Sequence, residues 1–140
     1  MNPIDTLALT LRQHGRSITV QRRQVFDALQ TAQPLTMHEI VARCSDVDRA
    51  SVYRTITLFE RLGIVLRLQT GWKYRLELSD TFLAHHHHAT CLQCGRIISL
   101  HEDTKLERLL HSVAAQHQFS LTGHQIELRG YCHDCTPEIL

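Results

Sequence analysis

Four consecutive histidines, His85–His88, stand two residues ahead of a Cys-x-x-Cys pair, Cys91 and Cys94. A second pair, Cys132 and Cys135, lies near the end of the chain. Thiolates suit Zn²⁺, and four of them close a tetrahedron with no open position, which is the chemistry of a structural site rather than a catalytic one. The competing use of Cys-x-x-Cys is redox. A redox pair sits at a helix N-terminus that lowers its thiol pKa, whereas Cys94-Gly95 leads into an expected strand. Structural zinc is therefore the stronger reading.

The histidines suggest a second chemistry. On an extended segment over 85–90, alternation sends His85 and His87 to one side and His86 and His88 to the other, so one run can feed two sites. Its internal place, abutting CLQCG, argues against a purification tag. With Glu107 on an expected helix and His124 on an expected strand, His85 and His87 could form a mixed nitrogen–oxygen site. Such a site accepts Zn²⁺, Fe²⁺ or Mn²⁺ without choosing among them. The bland alternative pairs Glu107 with Arg108 or His111 and leaves His124 on the surface. The remaining cysteine, Cys44, reads as a small core residue.

The elements that must position these groups follow from periodicity. Residues 3–14 form a helix stopped by Gly15. A second begins at Thr19 as N-cap and runs through Val25, Phe26 and Leu29. Thr36 and Glu39 match a capping box for a third helix that ends near Cys44. The fourth, over 49–62, puts Val52, Ile56, Phe59 and Leu62 on one face and Ser51, Tyr53, Arg54 and Thr57 on the other. Two short strands, 64–69 and 72–78, follow around a turn at Thr70-Gly71. Helices followed by a polar-faced helix and a hairpin suggest a winged helix. Tyr53 and Arg54 could reach base edges, and Arg16, Arg22, Arg23 and Lys73 could neutralise phosphates. The alternative is a solvated charged face on a small helical domain. Beyond residue 84 the expected elements are strands at 85–90 and 96–101, a helix at about 104–118 burying Leu106, Leu109, Leu110 and Val113, and a strand pair at 119–130.

Charge supports a division into two small domains, 1–80 and 81–140. Residues 1–78 carry eleven Lys/Arg against seven Asp/Glu, and residues 79–140 carry four against seven. Nine of the eleven histidines and four of the five cysteines lie beyond Asp80. A basic half beside an acidic, His/Cys-rich half suggests an anionic partner for one and a cation for the other. No apolar run approaches the ~18 residues needed to span a bilayer, and the N-terminus lacks signal-peptide features. The expectation is a cytoplasmic protein without membrane association. A zinc hydrolase would need an open metal position and a general base, and no His-Glu-x-x-His occurs, so no enzyme activity is expected.

At these residues the chain resembles the ferric uptake regulator family of bacterial metal-dependent transcriptional repressors. The marks are Thr19-x-Gln21-Arg22, Ala50-Ser51-Val52-Tyr53-Arg54, His85–His88 before Cys91-x-x-Cys94-Gly95, and the closing Cys132-x-x-Cys135. The resemblance covers about residues 12–135. It implies an α+β fold, with an N-terminal winged helix-turn-helix domain and a small α/β dimerisation domain. It implies a homodimer that binds a palindromic double-stranded DNA operator when metal is bound, controlling metal homeostasis, iron first. Carried over, structural zinc would sit on Cys91, Cys94, Cys132 and Cys135, and a second metal on His85, His87, Glu107 and His124. Tyr53 and Arg54 would touch DNA, with Ser51 and Thr57 beside them and Arg16 a candidate for the minor groove. Departures fall at the family's regulatory site. His86 and His88 are present, but Pro34, Arg75 and Ser99 stand where other ligands are usual, leaving Glu77 or His38 as substitutes. Val20 replaces a proline at the start of the second helix. Zinc-, manganese- or peroxide-responsive regulation on the same fold is an alternative, as is a metal store or chaperone without operator preference.

Overall fold

The computed structural model describes residues 1–136, so the last four residues of the expected second domain lie outside the described residues. Two compact units divide between Ala84 and His85.

In the first unit, each helix starts where a polar side chain can take up an otherwise unpaired backbone N–H. Helix α1 (Pro3–Gln13) is capped by Asn2, which accepts from the Asp5 N–H at 2.9 Å. It buries Leu7 and Leu11 completely. Helix α2 (Val20–Ala28) is capped by Thr19, as the sequence suggests, and buries Val25 and Phe26. Val20 takes the N1 position. Helix α3 (Met37–Arg43) carries the expected capping box: the Glu39 N–H donates to Thr36 Oγ1, and the Thr36 N–H to Glu39 Oε1. Helix α4 (Arg49–Arg61) buries Val52, Ile56 and Phe59. Gly63 follows at φ +71°, a left-handed step that favours glycine and turns the chain into the hairpin.

Strands β1 (Val65–Thr70) and β2 (Lys73–Leu78) pair antiparallel, from Val65 opposite Leu78 to Thr70 opposite Lys73. The connecting loop is thus Gly71-Trp72, one residue later than the expected Thr70-Gly71. Leu35 adds a bridge to Leu76 through two mutual backbone hydrogen bonds of 2.9 and 2.7 Å. A single extended residue carries no periodicity, so the sequence pattern gives no hint of it. Phe82 closes the unit, edge-on to Phe26 with ring centroids 5.2 Å apart.

The second unit contains β3 (His86–Cys91), β4 (Ile97–His101), α5 (Thr104–Gln116), β5 (Glu127–Gly130) and a 3₁₀ turn at His133–Cys135. The sheet order is β4-β3-β5, with β3 antiparallel to β4 and parallel to β5. A parallel neighbour needs a long crossover, and the β4–β5 connection containing α5 supplies it. The histidine strand β3 is central.

The structure departs from two expectations in this unit. Helix α5 ends at Gln116, and Gln118 takes φ +54°, a left-handed stop that glycine would usually fill. No residue of α5 is buried: Leu109 is 59% and Val113 46% exposed, while Leu106 and Leu110 are half-buried. The expected strand pair over 119–130 is one four-residue strand, so His124 lies in irregular chain. The alternation of residues 119–126 finds no partner strand among the described residues. No helix among these residues is long and apolar enough to cross a membrane.

Candidate metal centres and nucleic-acid interface

Four cysteines from two distant stretches meet in the second unit. Cys91 ends β3, Cys94 lies on the knuckle that follows, Cys132 immediately precedes the 3₁₀ turn and Cys135 is its last residue. Their sulfurs all lie within 4.8 Å of one another, and Cys94 Sγ is 3.8 Å from Cys132 Sγ. All are free thiols. A tetrahedral Zn²⁺ with Zn–S near 2.3 Å sets its sulfurs about 3.8 Å apart, so the donor set fits that ion. The electrostatics also favour a cation. Backbone N–H groups of Cys132 and Cys94 stabilise the Cys91 thiolate and hold its pKa down to about 6. The Cys132 side chain, then burial, pushes Cys135 up to about 12. Adjacent sulfurs cannot all ionise without a positive charge among them.

The second cluster is built by alternation on and just before β3. The His85 and His87 rings meet edge-to-face at 4.7 Å, and the His86 and His88 rings likewise at 4.8 Å, so the run divides into two pairs as expected. Glu107, in the first turn of α5, reaches the first pair. Its Oε1 lies 2.7 Å from His87 Nε2 and 3.4 Å from His85 Nε2, and its Oε2 lies 2.7 Å from His124 Nε2. His85 Nε2 and His124 Nε2 face each other at 3.2 Å. His87 is buried and the other three are partly so. The bland alternative, Glu107 paired with Arg108 or His111, is thereby replaced. Hydrogen bonding from His87, with the charges of His124 and His85, holds the Glu107 carboxyl below the usual range. Three imidazole nitrogens and a carboxylate converging within 4.8 Å suit a divalent ion of intermediate softness.

The sequence-nominated substitutes for the regulatory site, Glu77 and His38, belong to the first unit. Glu77 is buried on β2 and His38 is exposed on α3. Arg75 is committed to an ion pair with Glu39 at 3.4 Å. Ser99 on β4 stands opposite His88.

The polar face of α4 opens on a cleft of about 550 Å³. It is lined by six of the eight residues expected to meet DNA: Arg16, Arg22, Ser51, Tyr53, Arg54 and Thr57. Lys73 lies on the hairpin instead, and Arg23 is not part of the lining. Arg61 also lines the cleft, and sequence reasoning missed it, although it recurs seven residues after Arg54 on the same helical face. Among the described residues, no acidic one lines this cleft.

The side chains there are held in place. Asp48 caps α4, accepting from the Ser51 N–H at 3.0 Å and the Ser51 hydroxyl at 2.6 Å. Those bonds lower the Asp48 pKa. Arg54 Nη2 donates to Ser51 Oγ at 2.9 Å, and Arg49 Nη2 to the Tyr53 hydroxyl at 3.2 Å. Arg22 is partly spent on the Ser17 carbonyl at 2.6 Å, and Arg23 pairs with Asp27 outside the cleft.

A model of the ferric uptake regulator family matches residues 13–129. The ferric uptake regulation protein of Campylobacter upsaliensis is 36% identical over 135 residues, covering 89% of this chain and 83% of its own. The ferric uptake regulator of Vibrio cholerae superposes with a TM-score of 0.66 at 30% identity, over 90% of this chain and 99% of that one. The Helicobacter pylori ferric uptake regulator, described as having three functional metal binding sites, gives a TM-score of 0.75 at 25% identity, over 96% and 93% of the two chains.

Proposed function

This chain belongs to the ferric uptake regulator family of bacterial metal-dependent transcriptional regulators, and we propose that it is a repressor whose metal-loaded homodimer binds a palindromic DNA operator. It is a regulator and not an enzyme. In this reading Cys91, Cys94, Cys132 and Cys135 hold structural zinc. A second divalent metal, Fe²⁺, Zn²⁺ or Mn²⁺, binds His85, His87, Glu107 and His124, and His86 and His88 serve the regulatory site. Iron is the first effector to test. The observation that carries the reading is the convergence of Glu107 on three histidines beside a separate set of four thiols. One protein then has a closed sulfur site and a more exchangeable nitrogen–oxygen site.

Tyr53 and Arg54 read the major groove, with Ser51 and Thr57 on the same face of α4. Arg16, Arg22 and Lys73 meet the phosphates, which position the protein without specifying sequence. In a homodimer two recognition helices occupy successive major grooves, about 34–36 Å apart. A bound metal supplies charge and fixed coordination geometry. It favours the DNA-competent state only by binding that state more tightly than the other.

The test follows fluorescence anisotropy of a palindromic duplex, selected from a random pool by the loaded protein. Metal-stripped protein is compared with protein reloaded with Fe²⁺, Mn²⁺ or Zn²⁺. At least one metal should tighten binding tenfold or more. Replacing Arg54 by Ala should weaken it by about 1–3 kcal/mol and leave metal uptake unchanged. Equal affinity with and without labile metal would overturn metal-dependent repression. Metal uptake with no preference for any duplex would point to a store or chaperone.

A further inference from the structure

Trp72 is the only tryptophan of the chain and is 86% exposed. It occupies the second position of the two-residue β1–β2 loop. Gly71 takes φ +60°, and Trp72 is not among the residues with positive φ, which is the type II′ pattern. That turn requires glycine first and little of its second residue, so turn geometry does not explain a tryptophan there. Core packing does not explain it either. Its one close partner among the described contacts is Lys73, whose Nζ lies 5.2 Å from the ring centroid. The loop tip therefore presents an uncovered aromatic face joined to a cation, a combination suited to sugar–phosphate and base surfaces.

The hairpin that carries this pair is fixed to the recognition helix. Arg67 on β1 makes a two-pronged contact with Glu60 of α4, Nε to Oε2 at 3.1 Å and Nη2 to Oε1 at 2.9 Å. The same guanidinium lies 4.0 Å over the Tyr74 ring of β2. One arginine thus ties α4 to both strands. Six-residue strands at about 3.3 Å per residue carry the tip roughly 20 Å from the helix end, a distance that reaches beyond the groove α4 would enter.

We infer that Trp72 and Lys73 form a second DNA contact at the wing tip, with the indole laid against the groove wall next to the one entered by α4 and the ammonium on its phosphates. This rests on the DNA-binding reading above and adds a residue to it. The Glu60–Arg67–Tyr74 contact is the positioning device that aims the tip.

The single tryptophan makes the test direct. The loaded full-length dimer is titrated with the selected duplex while anisotropy of labelled DNA and Trp72 emission are read on the same samples. Saturation should lower Trp72 emission and reduce its collisional quenching by acrylamide at least twofold. Trp72→Ala should weaken duplex binding about tenfold while leaving thermal stability and metal content unchanged, because the ring is exposed. Saturating anisotropy with unchanged emission, unchanged acrylamide quenching and full affinity in Trp72→Ala would overturn the inference and leave the DNA-binding reading intact. No anisotropy change with any duplex would overturn both.

Discussion

The two units are held together by different physics. The first gathers seventeen buried apolar residues, from Leu7 to Leu78, into one cluster. Among the described residues of the second, the buried apolar residues are Cys91, Ile97 and Cys132, and two of those are metal-type ligands. Its other buried groups, His87 and Thr90, are polar. A unit of this size cannot rely on core burial alone, and a structural metal is one usual remedy. Apolar burial therefore stabilises the first unit, whereas in the proposed reading the second would draw its stability from donor atoms that hold a cation. The exposure of Leu109 and Val113 on α5 belongs to the same pattern of sparse apolar burial.

The largest expected effect breaks the second unit and spares the first. Structural zinc in small domains is worth about 10–16 kcal/mol in apparent binding. Cys132→Ser should therefore release zinc and abolish slow amide exchange from β3 to β5, while α1 to α4 stay protected. The converse substitution is Phe59→Ala, which empties the centre of the first core and should cost about 3–5 kcal/mol. Urea denaturation should record that loss, with the zinc count unchanged. Uniform loss of protection in both variants would show that the units share one source of stability.

A smaller effect sharpens the contrast through pH. In metal-stripped protein the Glu107 carboxyl titrates below its ordinary value of about 4.3. A depressed acid stabilises the fold above its unfolded pKa and loses that contribution as pH falls through the folded one. Second-unit stability should hold above about pH 5 and decline below about pH 4. Glu107→Gln should flatten that decline. Metal affinity at the same cluster should also weaken in acid, because protons compete with the metal for its ligands.

Much of this was legible in residue spacing. Thr19, the Thr36–Glu39 box and the apolar face of α4 are local signals, and local hydrogen bonds and packing decide those elements. The histidine alternation was legible because a strand has only two faces. The alternation over 119–130 suggests a strand pair where only Glu127–Gly130 forms a strand, because alternation says nothing about whether a partner strand exists. Leu106, Leu109, Leu110 and Val113 do form a stripe, but a stripe does not say whether its cover comes from the same chain. The Leu35–Leu76 bridge and the Glu60–Arg67–Tyr74 contact join residues through the fold, and no local pattern encodes them. For Glu107 the sequence offers a ligand role and a surface role alike, and its place beside His85, His87 and His124 comes from the fold.

The most direct test of the central claim, a closed thiol site beside an exchangeable nitrogen–oxygen site, is element-resolved metal content per protomer through a graded chelation series, with amide exchange of both units followed in parallel. A labile metal should leave first with second-unit protection largely intact, one zinc should leave last, and protection from β3 to β5 should collapse with it. Simultaneous loss of all metal, or a second unit that stays protected without zinc, would contradict that claim.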